Sequence, residues 1–203
     1  MTFRSYFEWL RRLGREDAAQ LVEFAVSLPL LVVFVVGIFD FSGAYTLKQK
    51  LTNVARDAAR TAASQSNSDL SATVPISISD SFSLIDNYFL SNGLNDCSIN
   101  ASSPAPSRPS TWTYFANGNG CLSPGLRIII NRGYYFPASN AAQPPPLNCS
   151  VTGGVGGQTA IISTCVSIQY SYSWRFGHVA SLLGGTQILP STISAAAVVM
   201  NEN

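Results

Sequence analysis

Apolar residues crowd the start of the chain and then thin into regular spacings. Residues 24–39 read FAVSLPLLVVFVVGIF, sixteen positions without a charge, lengthening to 21–41 when Glu23 and Asp40 are admitted at the edges. A membrane span needs about 20 residues at a rise of about 1.5 Å each, so this run predicts one transmembrane helix. Beyond it, Leu47, Leu51, Val54, Ala55, Ala58 and Ala62 recur at steps of three and four, with Lys48, Lys50, Arg56 and Arg60 elsewhere around the wheel. That is an amphipathic helix over residues 45–66, continuous with the apolar run. Pro29 lies inside it, and its missing N–H either kinks the helix or is simply tolerated, as prolines in membrane helices often are.

After residue 66 the spacing shortens. A short helix is expected over residues 81–91, with Asp80 as cap, Phe82, Ile85, Tyr88 and Phe89 on one face, and Asn92-Gly93 as the stop. Residues 162–174 alternate for thirteen positions, with Ile162, Thr164, Val166, Ile168, Tyr170, Tyr172 and Trp174 on one side and Ser163, Cys165, Ser167, Gln169, Ser171 and Ser173 on the other. Period two predicts a strand with one buried face, placed against the amphipathic helix. Residues 126–135 and 191–200 read as further strands. Two proline- and glycine-rich stretches, 102–124 and 137–157, read as long irregular loops. The expected fold is α+β: a long N-terminal helix, transmembrane then amphipathic, packed on a small antiparallel sheet with long loops.

Charge sharpens this division. The 203-residue chain has a formal net charge of +1, which argues for no nucleic-acid partner. Residues 1–60 hold eight of the twelve Lys and Arg and six of the eleven Asp and Glu. The basic flanks do not orient the span, because Arg4, Arg11, Arg12 and Arg15 precede it while Lys48, Lys50, Arg56 and Arg60 follow. The cysteines do. Cys97, Cys121, Cys149 and Cys165 all follow the span at spacings of 24, 28 and 16, too long for the short paired ligands of a zinc site. They read as two disulfides formed in an oxidising compartment, which places the N-terminus in the cytoplasm and residues 97–165 on the other side of the membrane. Three pairings exist; 97–121 with 149–165 clips each loop to a neighbouring strand, with Cys97 and Cys165 on strands.

Glu23 is the residue the span does not explain. A deep acid costs on the order of 2–3 kcal/mol, less near the headgroups, where it can snorkel. Its surroundings suggest more. The runs Ala18-Ala19-Gln20-Leu21-Val22-Glu23-Phe24, Leu28-Pro29-Leu30, Gly37-Ile38-Phe39-Asp40-Phe41 and Asn53-Val54-Ala55-Arg56-Asp57-Ala58-Ala59-Arg60 resemble the TadE family of pseudopilins. Leu182-Leu183-Gly184-Gly185 and the stretch from Ile193 to Glu202 resemble that family's closing segment more loosely.

The resemblance implies a minor pilin or pseudopilin of the tight-adherence (Flp pilus) system, without enzymatic activity or cofactor. Its implied partners are other pilin and pseudopilin subunits, the assembly platform, the inner-membrane lipid and a prepilin peptidase. By that resemblance the peptidase cuts between Ala18 and Ala19, although the usual glycine is replaced by Ala18; Gly14 is a rival site. Glu23 and Phe24 become assembly and recognition positions and Pro29 a kink. The new amine on Ala19 would stand one turn before Glu23 and neutralise it. The chain then divides into a cytoplasmic leader (1–18), a transmembrane and amphipathic helix (19–66) and a periplasmic β-rich domain (67–203), and the mature subunit could enter a surface pilus. A different cut, by signal peptidase after Ser42-Gly43-Ala44, would instead release the domain.

Other chemistry finds little support. His178 is the single histidine and no serine sits in a G-x-S-x-G elbow. Gly153-Gly154-Val155-Gly156-Gly157 lacks the Lys-Ser/Thr of a phosphate loop and reads as linker. Trp112, Tyr114 and Phe115 form either a small core under the first loop or a carbohydrate- or partner-binding patch. The alternative function is accordingly an anchored adhesion module acting through loops 102–124 and 137–157.

Overall fold

The computed structural model describes residues 16–101, 103–108, 110–137, 147–150, 160–174 and 190–202. Helix α1 spans Glu16–Ala63 without a break, 48 residues including Pro29. It ends three residues before the expected stop. Helix α2 covers Ile76–Ser91, with single 3₁₀ turns at Asn67–Ser71 and Ile99–Ala101. Five strands follow: β1 Ala105–Arg108, β2 Thr111–Ala116, β3 Leu126–Pro137, β4 Ala160–Ser171 and β5 Thr192–Met200. They form one antiparallel sheet in chain order. Two compact units are distinguished among the described residues. One holds α1 up to Gly43 together with Trp174; the other holds residues 44–173 and 190–202.

In the second unit the sheet's helix-side face is built from cross-strand rows. Trp112, Ile130, Val166 and Ala197 form one row, Tyr114, Ile128, Ile168 and Ala195 the next, and Ala116, Leu126, Tyr170 and Ile193 the third. Helix α2 covers this face, with Phe82 stacked on Tyr114 at 4.1 Å between ring centroids and Phe89 set against Tyr170 at 5.7 Å. Burying a side chain such as Phe89 or Leu51 completely stabilises the fold by about 1.5–3 kcal/mol. Helix α2 meets α1 at Ser81, whose buried hydroxyl donates to the carbonyl of Ala58 at 3.1 Å and to Ser77 at 2.8 Å.

Helix α1 lies along β5. Asn201 N–H donates to Ile162 and Tyr172 N–H to Ser191, so the odd-numbered backbone groups from 191 to 201 face β4. Even-numbered groups therefore face away, along the sheet's outer edge. Lys48 donates its ammonium to the carbonyl of Ser194, and Glu202 N–H donates to the carbonyl of Ala63. Fifteen helical residues rise about 22 Å and eight strand residues about 26 Å, so the two elements run together with matched lengths. Between the two ties Leu51, Val54, Ala55, Ala58, Ala59 and Ala62 are fully buried. The opposite edge, β1, is blunted differently: it has four residues, includes Pro106, and carries a register shift between Pro106 and Arg108.

Several expectations are corrected. Helix α2 starts five residues before residue 81: Pro75, not Asp80, stands at its N-cap with φ −61°, a value suited to entering a helix, and its carbonyl accepts from Ile78 and Ser79. Asp80 lies inside the helix and accepts from Gln65 at 2.7 Å. The stretch 102–124 is no long loop, since β1 and β2 lie within it, with Trp112 and Tyr114 buried and Phe115 exposed. Cys97 is on no strand; it occupies a turn at φ +57°. Strand β4 stops at Ser171 rather than Trp174 and is buried on both faces, because Ser163, Cys165 and Ser167 are as inaccessible as Val166 and Ile168. Gly14, 138–146, 151–159 and 175–189, including Pro144-Pro145-Pro146, the glycine run, His178 and Leu182–Gly185, lie outside the described residues.

The second face of β4 is covered by residues 147–150. Cys149 is bonded to Cys165, Leu147 supplies a carbonyl to the Ser167 hydroxyl, and Asn131 Nδ2 donates to Cys149 at 2.9 Å. Ile129, Tyr134, Cys149 and Cys165 form a small core there, with Val198 against it. The other disulfide joins Cys97 to Cys121. At the β2–β3 turn Gly125 has φ +90°, and a Cβ there would stand 2.2 Å from the carbonyl oxygen of Ala116.

Arg132 is the largest fully buried side chain. It donates to the carbonyls of Gln65 at 2.6 Å and Ser66 at 3.1 Å, just past the end of α1, where a helix favours a cation. Its own carbonyl accepts from Asn201 Nδ2 at 3.1 Å, and Asn201 Oδ1 accepts from Thr164 at 2.6 Å.

One acid pair is less well served. Burial, and then repulsion from Asp96, raises the pKa of Asp86 above the ordinary 3.8. Its Oδ1 is buried with no hydrogen-bond partner among the described residues. The folded chain thus holds this proton more tightly than the unfolded chain, so stability falls as pH rises from 3.8 to the raised folded value. Asp86→Asn removes that loss. It should raise Tm at neutral pH by about 2–4 °C and flatten the Tm–pH profile over this window, read by thermal unfolding of the full chain in detergent; a slope equal to the parent's would contradict it.

Candidate assembly surface

The N-terminal part of α1 lacks the stripe of buried residues that marks its later turns. Residues 20–32 are all exposed, and large side chains such as Leu21, Phe24, Val26, Phe34 and Ile38 show more than half their surface. An apolar surface of this extent is unfavourable in water, and contiguous patches of such size mark a membrane or protein interface. One 18-residue window has a mean hydropathy of 2.6 and none of it is buried. Among the described residues this is the one helix long and apolar enough to cross a membrane, which fits a single-pass membrane protein.

Polar groups on this surface are few and grouped. Gln20, Glu23 and Ser27 follow one another at helical steps of three and four, with Phe24 beside them. Ser27 satisfies its hydroxyl on its own helix, donating to the carbonyl of Phe24 at 3.3 Å. Glu23 and Phe24 are both exposed. The Ala18–Ala19 bond lies within the first helical turns, and Ala19 precedes Glu23 by four residues. Pro29 is carried inside the continuous helix.

A different stripe emerges further along. Val33, Val36 and Gly37 are half-buried and Asp40 is buried, at steps of three and four. Asp40 was read from sequence only as a charge at the edge of the span. Its spacing from Val33 and Val36 was the signal that it belongs to a covered face. Elsewhere the described residues offer no arrangement of three or more His, Cys, Asp or Glu suited to a metal. Burial in the core pushes the Tyr114 phenol up to about 12.

Residues 18–60 match the family model described as TadE-like protein. The chain carries a TadE-like segment. No curated protein and no solved structure matches. The TadE-like segment begins at the Ala18–Ala19 bond, runs the length of the exposed apolar surface and ends three residues before α1 does. It covers none of the sheet. A TadE-like segment supports a role connected with tight-adherence pili.

The exposed surface makes a direct prediction about insertion. Val32→Arg, near the middle of the apolar run, costs about 2.5–3.5 kcal/mol on insertion scales. The variant should shift markedly from the carbonate-resistant membrane pellet to the soluble fraction. An unchanged partition would count against a span here.

Proposed function

We propose that the chain is a minor pilin or pseudopilin of the tight-adherence system, acting in pilus assembly through the exposed N-terminal part of α1. The observation that carries this reading is Glu23, the one charged residue between residues 20 and 39, on a largely apolar helix surface inside the TadE-like segment. An acid on such a surface is costly next to lipid and valuable next to a cation, so it favours the assembled state over the dispersed one. In this reading a prepilin peptidase cuts between Ala18 and Ala19, and the amine of Ala19 pairs with Glu23 of the same or a neighbouring subunit. The N-terminus is cytoplasmic, residues 67–203 lie in the periplasm, and the partners are pilin subunits, the assembly platform and inner-membrane lipid. No catalytic step is required. The adhesion alternative loses ground, because half of its proposed surface, 102–124, contains β1 and β2 with Trp112 and Tyr114 in the core.

Two experiments test this. Glu23→Ala and Glu23→Gln should each lower surface piliation by about tenfold, as removal of a desolvated ion pair can, while the membrane level of the protein is unchanged. Normal piliation in Glu23→Ala would sink the assembly role. N-terminal sequencing of the mature protein should begin at Ala19; a start at Met1 would rule out processing.

A further inference from the structure

We propose that Phe41 and Trp174 form a second membrane attachment, an aromatic anchor in the headgroup layer of the outer leaflet. This rests on the reading of α1 as a span. Eighteen residues separate Glu23 from Phe41, which is about 27 Å of helix. The hydrocarbon core is about 30 Å thick, so with Glu23 at one boundary Phe41 stands at the other.

Trp174 follows the last residue of β4 by three positions, more than 130 residues after Phe41 in sequence. Yet the two rings meet edge to face, with centroids 5.3 Å apart and planes at 60°. Phe41 nonetheless keeps 56% of its surface exposed, and Phe39 keeps 75%. This is not a closed core pair; it is an aromatic cluster at the end of the exposed apolar helix and continuous with it. Tryptophan is enriched at that level, where its amphipathic ring sits among the headgroups. Tyr45, one turn beyond Phe41 and also exposed, extends the aromatic band along α1.

The consequence is a chain held at the bilayer twice, through α1 and again where it leaves β4. A single helix can rotate about its axis and slide along it. A second contact at the headgroup level restricts both, and so fixes the depth of Glu23 at the other end.

The test uses the full chain carrying Trp9→Phe and Trp112→Phe, so that Trp174 is the single fluorophore. It is reconstituted into phosphatidylcholine and phosphatidylglycerol vesicles containing brominated lipid, and insertion is read separately by flotation. Quenching by bromine near the acyl carbonyls should exceed quenching by bromine near the chain ends by about twofold or more, as expected for an interfacial ring. Phe41→Ala should shift the emission of Trp174 to the red and weaken the shallow quenching without changing flotation. If the protein floats with the vesicles but Trp174 is unquenched, or is quenched best from the chain ends, the anchor is wrong and the span stands. Failure to float overturns the span and the anchor with it. Should Trp112→Phe impair folding, Trp112 is retained and the Trp174 signal is obtained as the difference from a matched Trp174→Phe chain.

Discussion

The seating of α1 along β5 is the constraint on which the folded part of this chain depends. Between the two ties the buried face of α1 is lined mostly by alanines. Ala55, Ala58, Ala59 and Ala62 fill one stripe completely without holding the helix away from its neighbours, and Ala63 ends the stripe at the tie to Glu202. Larger residues there would have to force the helix outward, because packed interiors absorb extra volume poorly. The ties at Lys48 and Ala63 then occupy outward-facing groups near both ends of the edge strand, so the helix also protects the sheet from unwanted pairing. One element therefore completes the core and caps the edge.

Around that seat, polar groups act where apolar packing cannot. The chain past Ala63 has carbonyls to satisfy, and Arg132 reaches them from a strand far away in sequence. Asn201 ties the same strand position to Thr164. On the reverse of the sheet, a disulfide and the backbone of residues 147–150 do what a second helix layer does in larger domains. Small extracytoplasmic domains often close thin faces this way, with covalent links in place of apolar mass.

Much of this was legible beforehand. The length of α1 followed from an uncharged apolar run leading into a 3–4 repeat, and β4 from its strict alternation. Of three possible disulfide pairings the favoured one, 97–121 with 149–165, is the one formed, although Cys97 sits in a turn and not on the strand that argued for it. What escaped notice has common physical causes. Ile76–Ser79 alternates β-branched and polar residues, which hides a helical turn started by Pro75. Trp112 and Tyr114 are core residues, one of the two readings the sequence offers, but so short a run between prolines and serines does not read as a strand. Serines of β4 looked like a wet face, because sequence does not show that Leu147 and Cys149 will cover them. Arg132 belongs to no pattern in the sequence, since nothing local announces carbonyls supplied from residues 65 and 66. At the candidate surface, Glu23 and Pro29 stood out through their chemistry, whereas the burial of Asp40 showed only once its helical neighbours were seen to be covered.

Lys48 and Ser194 are 146 residues apart in the chain. Order of synthesis gives that distance a meaning. The helix emerges first, and its tie through Lys48 has no partner until β5 has been made. Throughout that interval the sheet lacks its closing strand, and the helix lacks the partner that holds it near both ends. Long-range closure of this kind slows folding. It also means that the last strand made is the one that fixes the first helix in place.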